Sequence, residues 1–190
     1  MRSQERKSNR LPGYDYSKNG FYFVTICVED RTECFGEIVD KKMILNEFGE
    51  VVENQWLWLE QNFFGVYCNE FVIMPNHFHG ILEIDLDADF GIESGADDSC
   101  RDNPRIVPTL GTVGYNRRHN LLSKTINAFK TTSSKIIHQN GLSEFKWQRS
   151  FYDNIIRDEQ SFFKIQRYIL ENPKNLERDR NKTYEQEINS

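Results

Sequence analysis

Two of the four histidines in this 190-residue chain, His77 and His79, stand one residue apart in Met74-Pro75-Asn76-His77-Phe78-His79-Gly80. On a strand, side chains i and i+2 project to one face, so the two imidazoles stand together and Phe78 points the other way. The bare pattern also fits two half-exposed polar residues, or a histidine satisfied in a core. Imidazole is the commonest metal ligand, however, and the pair makes a two-ligand platform for a divalent cation. Two ligands do not complete a site. Near the other end of the chain, Tyr168 and Asn172 are four residues apart. On a helix that spacing places a phenol and an amide oxygen on one side, one turn apart. Alone, Tyr168 reads as a helix aromatic with its hydroxyl at the core edge, and Asn172 as the residue ahead of Pro173.

The elements that must position these groups follow from periodicity. Residues 21–28, FYFVTICV, are β-branched and aromatic and read as a buried strand. Residues 36–39 and 42–45 make a small hairpin joined at Asp40-Lys41. Over 46–63, Phe48, Val51, Val52, Trp56, Leu57, Leu59 and Phe63 recur every three or four residues, which predicts an amphipathic helix with Asn46 as its N-cap. Strands are predicted at 66–74 and 77–84, around the Pro75-Asn76 turn. Residues 85–120 open with DLDADFGIESGADDSCRDNP and show no period, so they read as a long, partly disordered loop inserted in one domain. A helix runs from about 122 to 139 and stops at Gly141. Residues 145–156 read as an extended strand or an irregular arm. Asp158 caps a last helix over 159–172, which Pro173 ends; Phe162, Ile165 and Ile169 form its apolar stripe. The order β, ββ, α, ββ, loop, α, (β), α predicts an α+β fold: an antiparallel sheet with helices packed on one face.

Composition narrows the class. The chain carries a net charge of −5, which argues against nucleic-acid binding by bulk charge alone. The distribution is uneven: residues 101–158 hold ten basic and four acidic side chains. A basic face on an acidic protein can bind phosphates with a strong salt dependence. Lys124, Lys130, Lys135, Lys146 and Arg149 are the candidates for tracking a backbone, with Trp147 as an exposed aromatic for base stacking. A solvated helix face is the alternative. His119 and His138 read as surface residues without partners. Cys27, Cys34, Cys68 and Cys100 lack C-x-x-C spacing, so they read as reduced thiols. No apolar run approaches membrane-spanning length, and residues 1–17 lack the apolar core of a secretory signal. The expectation is a cytoplasmic protein.

Several motifs together resemble one family. Met74-Pro75-Asn76-His77-Phe78-His79-Gly80-Ile81-Leu82 is similar to the histidine–hydrophobic–histidine motif of single-tyrosine, HUH-type transposases. The REP-associated tyrosine transposases are the nearest group. The resemblance continues in Leu11-Pro12-Gly13-Tyr14-Asp15-Tyr16-Ser17, Tyr22-Phe23-Val24-Thr25-Ile26-Cys27, Phe35-Gly36-Glu37-Ile38 and Ala128-Phe129-Lys130. It ends in Trp147-Gln148-Arg149-Ser150-Phe151-Tyr152-Asp153 and in residues 168–173, covering roughly 10–175 and leaving 1–9 and 176–190 as flexible termini.

The resemblance implies a ferredoxin-like α+β domain that cuts and rejoins single-stranded DNA beside a hairpin. It matches His77 and His79 to the metal-binding histidines, Tyr168 to the nucleophile and Asn172 to the third ligand. The metal is then Mg²⁺ or Mn²⁺, and the product a 5′-phosphotyrosine with a free 3′-OH. Tyr152 lies in a family motif but not at the nucleophile position, and reads as positioning or core. The long insertion at 85–120 departs from the family pattern. Dimers and monomers are both compatible with it. Two other functions fit the same residues: a catalytically idle hairpin-binding protein, and a metal-dependent phosphodiester hydrolase that activates water.

Overall fold

Strand β1 (Gly20–Cys27) is apolar in both parities, with Tyr22, Phe23, Val24 and Ile26 all fully buried. A strand buried on both faces belongs in the middle of a covered sheet. That is its place in the computed structural model of the chain, which describes residues 18–87 and 121–175. β1 pairs antiparallel with β5 (His77–Ile84) on one side and β6 (Tyr152–Ile156) on the other, and β4 (Val66–Met74) pairs with β5. The order β4-β5-β1-β6 is that of a ferredoxin-like sheet. A separate hairpin joins β2 (Gly36–Val39) to β3 (Lys42–Leu45), and its turn residues Asp40 and Lys41 both have positive φ, as a tight two-residue hairpin turn requires.

The predicted helices form. In α1 (Glu47–Asn62), the side chain of Asn46 accepts from the backbone N–H groups of Phe48 and Gly49, both at 3.0 Å. α2 (Leu121–Gln139) is followed by Gly141 at φ 104°. α3 (Glu159–Glu171) is capped by Asp158, whose Oδ1 accepts from the Ser161 N–H at 2.7 Å. Asn172 keeps helical φ and ψ and opens a 3₁₀ turn through Asn175. Residues 145–151 take the irregular-arm alternative, held to the end of β1 by a bridge between Val28 and Trp147, before the chain enters β6. Of the 85–120 insertion, the described part is 85–87, where Asn19 binds the carboxylates of Asp85 and Asp87; the rest, the two termini, His119 and Cys100 lie outside the described residues.

The helices divide between the two faces of the sheet. α1 and α2 cover one face with Trp56, Phe129 and their neighbours against Tyr22, Val24, Ile26 and Phe78. Gly80 makes this close approach feasible, because a Cβ there would stand 2.8 Å from the Trp56 ring. α3 lies on the opposite face, where Ile165 and Ile169 pack on Phe23, Ile81 and Ile156. The expectation of helices on one face therefore holds for α1 and α2 and is corrected for α3. The reason is the continuous apolar run of β1 and β5: a second apolar face needs its own cover. Burying Ile165 and Ile169 there contributes roughly 1.5–3 kcal/mol each. No described helix is long and apolar enough to cross a membrane.

Candidate active site

β5 puts His77, His79 and Ile81 on the α3 face and Phe78 on the other, where Phe78 meets Trp56 and Phe129 with ring centroids 4.5 and 5.3 Å apart. Both histidines are buried, at 4% and 3% exposure. Their rings stand edge to face with centroids 4.7 Å apart. Each Nδ1 faces a polar side chain: His77 Nδ1 is 2.7 Å from Asn76 Oδ1, and His79 Nδ1 is 2.8 Å from Thr25 Oγ1. Thr25 is the register partner of His79 across β1 and β5, so the sheet itself sets that contact. Phe23 stacks on the His79 ring at 5.4 Å.

α3 delivers the phenol. Packing of Ile165 and Ile169 turns the intervening residue Tyr168 toward the sheet, half-buried, with its Oη 3.4 Å from His79 Nε2. A hydrogen bond from Gln166 Nε2 to Glu70 Oε1, 3.2 Å, ties the same helix to β4. One turn beyond Tyr168, Asn172 is 3% exposed, and its side-chain oxygen is buried with no hydrogen-bond partner. A buried acceptor left unmet costs about 1–3 kcal/mol. An orphaned amide oxygen one turn beyond the tyrosine that meets His79 is the kind of donor atom a cation would satisfy, so the chemistry of these residues fits a metal. No group of three or more His, Cys, Asp and Glu side chains suited to a metal occurs among the described residues.

The other sequence candidates separate. Lys124, Lys135, Lys146 and Arg149 are exposed. Lys130, Lys135 and Lys146 line one groove of about 700 Å³ between α2 and the 145–147 arm, together with Asn127, Thr131 and His138. Lys124 and Arg149 do not line that groove. Lys130 is half-buried and engaged: its Nζ donates to the carbonyls of Gln148 at 2.6 Å and Arg149 at 3.0 Å, and burial lowers its pKa. Trp147 is not an exposed stacking platform. It is 7% exposed, packs against Phe35, Phe129 and Phe145, and donates Nε1–H to Ser133 Oγ at 3.0 Å. An indole that large supplies more by closing the core than by meeting solvent. His138 has a partner after all, donating Nε2–H to the Phe145 carbonyl at 2.7 Å. Tyr152 is half-buried on β6, opposite Thr25. Thr25 and Asn76 were missed as site residues. Asn76 adjoins the motif, but Thr25 is 54 residues from His79 in sequence and only strand register finds it.

No family model matches the chain. A protein of Haemophilus influenzae (strain Rd KW20), described as uncharacterized, is 34% identical over 174 residues, covering 92% of this chain and 91% of that one. The two belong to one family. Among solved structures, a REP-associated tyrosine transposase bound to a REP hairpin matches with a TM-score of 0.51 and 18% identity, over 86% of this chain and 72% of that one. The chain has the tyrosine-transposase fold. The agreement in fold matches the resemblance carried by the motifs, and within the tyrosine-transposase fold the described site brings together a histidine pair and a helix-borne tyrosine. A Deinococcus radiodurans R1 protein of known structure is more distant, with a TM-score of 0.44 and 15% identity over 86% of this chain and 96% of that one.

Proposed function

We propose that this chain is a transposase-like endonuclease and strand transferase acting on single-stranded DNA, with Tyr168 as nucleophile. The observation that carries this reading is the 3.4 Å approach of the Tyr168 hydroxyl to His79, on the sheet face shared with His77 and one turn before Asn172. A hydrolase that activates water gives no reason for a tyrosine and an amide one turn apart. His77 and His79, with the Asn172 amide oxygen, would hold Mg²⁺ or Mn²⁺; two imidazoles suit Mn²⁺ in particular. When bound, the cation would neutralise charge on a non-bridging phosphate oxygen and so lower the cost of attack by an anion.

The chain's own residues do the rest. Tyr168 gives up its phenolic proton to solvent, its oxygen bonds to phosphorus, and the bond from phosphorus to O3′ breaks. The departing O3′ takes up a proton. A 5′-phosphotyrosine and a free 3′-OH result, and the new ester conserves the energy of the old one, so a second 3′-OH can reverse the step without ATP. The half-buried setting of Tyr168 against Phe23 restricts its ring and reduces the entropy lost in reaching the phosphate. A duplex would shield the scissile phosphate, so the strand must be single there.

The DNA backbone is proposed to run over the basic surface of α2 and the following arm, contacted by Lys124, Lys135, Lys146 and Arg149. Lys130 holds the arm in shape. The solved relative in fold was captured on a REP hairpin, which makes a stem beside the cleavage site the natural substrate to try. The test is a covalent one. Labelled single-stranded DNA carrying a hairpin, incubated with Mn²⁺, should yield a protein–DNA adduct that survives denaturing electrophoresis and disappears in Tyr168→Phe. Cleavage without an adduct, persisting in that variant, would assign the hydrolase; binding with neither would assign the idle hairpin binder.

A further inference from the structure

We propose that Thr25 and Asn76 are positioning residues that place the ring protons of His79 and His77 on Nδ1, so that both Nε2 lone pairs are available to one cation. This rests on the cation reading above. A neutral imidazole has a single lone pair, and the atom that carries it is decided by the hydrogen bond at the other nitrogen.

For His77 the assignment is strict. Asn76 Nδ2 donates to the carbonyl of Arg31 at 3.2 Å, which turns Asn76 Oδ1 toward the imidazole. That oxygen can only accept, so the 2.7 Å contact requires Nδ1–H on His77 and leaves the lone pair on Nε2. Asn76 is itself clamped. Its backbone carbonyl accepts from Val28 N–H at 2.9 Å, and the Pro75 carbonyl accepts from Cys34 N–H at 2.8 Å and Phe35 N–H at 3.1 Å. The turn presenting the Arg31 carbonyl holds Asp30 and Arg31 in left-handed conformations, φ 55° and 56°, a local cost that the surrounding hydrogen bonds offset.

For His79 the partner is a hydroxyl, which can donate or accept. Its second partner is also a hydroxyl, and the Tyr168 phenol, the more acidic of the two, is the better donor. The Tyr168 hydroxyl lies on the Nε2 side, and a phenol donating there needs the lone pair at Nε2 and the proton at Nδ1, pointed at Thr25 Oγ1. The two histidines therefore reach the same tautomer by different routes, one from its own turn and one from the neighbouring strand. Outer partners of this kind commonly change metal affinity 10–100-fold when removed.

The test uses the full chain and Mn²⁺ alone. Nitrogen-15 NMR of labelled histidines in metal-free protein should report Nδ1–H for both residues. Thr25→Val keeps the β-branched strand residue but removes the acceptor; it should lose the tautomer preference of His79 and bind Mn²⁺ about tenfold more weakly or worse. Thr25→Ser should restore both. Asn76→Ala should act likewise on His77, and Asn76→Asp, which keeps an acceptor, should preserve the Nδ1–H form should the alanine variant fail to fold. Wild-type Mn²⁺ binding with unchanged tautomers and affinity in Thr25→Val overturns the positioning role alone. Wild-type protein that takes up no Mn²⁺ overturns the cation reading beneath it.

Discussion

The Tyr168 hydroxyl stands at the same nitrogen of His79 that the proposed cation would need: Oη and Nε2 are 3.4 Å apart. One lone pair cannot serve both. On the proposed reading, the Tyr168 hydroxyl and a cation would compete for that position in the resting site.

Tyr168→Phe should therefore separate two properties. It abolishes the covalent adduct, yet it removes the competitor at Nε2 while keeping the ring that packs on Phe23 and His79. A net hydrogen bond of about 0.5–1.5 kcal/mol corresponds to Mn²⁺ binding roughly two- to tenfold tighter than wild type. Electron paramagnetic resonance titration measures this. Weaker binding in the variant would show that Tyr168 supports the metal rather than opposing it.

Asn172→Ala tests the orphaned oxygen. Removing a buried acceptor that lacks a partner should leave metal-free stability unchanged or raise it by up to about 1 kcal/mol, while Mn²⁺ affinity falls. Urea unfolding with and without Mn²⁺ reads both. Loss of stability without loss of metal affinity would make Asn172 an ordinary helix-end residue.

Trp147→Ala should cost about 3–5 kcal/mol in unfolding free energy, as large aromatic truncations in cores do. The indole also leaves Ser133 without its donor. Single-stranded DNA should not quench the Trp147 fluorescence in wild-type protein. Quenching comparable to that of a solvent-facing tryptophan would restore the stacking role.

The lysines should divide by environment. Lys135→Glu and Lys146→Glu are exposed changes expected to leave stability within about 0.5 kcal/mol. Each should weaken DNA binding at low salt and reduce the slope of affinity against salt concentration by about one phosphate contact. Lys130→Met should instead destabilise the fold, by about 1–3 kcal/mol, because two backbone carbonyls lose their donor. Filter binding across a salt series, paired with thermal melts, distinguishes the classes.

The thiols give a pH prediction. Burial raises Cys34 from 9.0 to about 11 and Cys68 to about 12, the latter also raised by the nearby Glu60 charge. Both stay protonated in the fold at pH values where the unfolded chain has lost those protons. Stability from this source is complete below pH 9 and declines as pH rises toward 11–12. Unfolding free energy measured from pH 8 to 10.5 should fall less steeply in a Cys34→Ala, Cys68→Ala double variant, and alkylation of these thiols at pH 8 should be slow until the protein unfolds.

Local chemistry was legible because it is written in short stretches. The 3.6-residue spacing around Trp56, the Asn46 and Asp158 caps, the Gly141 stop and the Asp40-Lys41 turn each depend on neighbours within a few residues, and each appears where the sequence places it. The same holds for the pairing of His77 with His79 on one strand face. Exposure was less legible. Trp147 and Lys130 sit in a polar stretch that reads as surface, and only the fold of the arm back onto α2 buries one and half-buries the other.

By itself, then, the sequence determined which residue types could form a cation clamp and which helix could carry a nucleophile, since i to i+2 and i to i+4 geometry is a property of the backbone. Tertiary structure alone decided that the clamp and the helix share a face. That outcome depends on β1 and β5 being apolar on both sides, so that α3 had a second surface to cover, and on a strand register that sets Thr25 beside His79. Contacts 54 and 89 residues apart arise from such packing and pairing, and no local period encodes them.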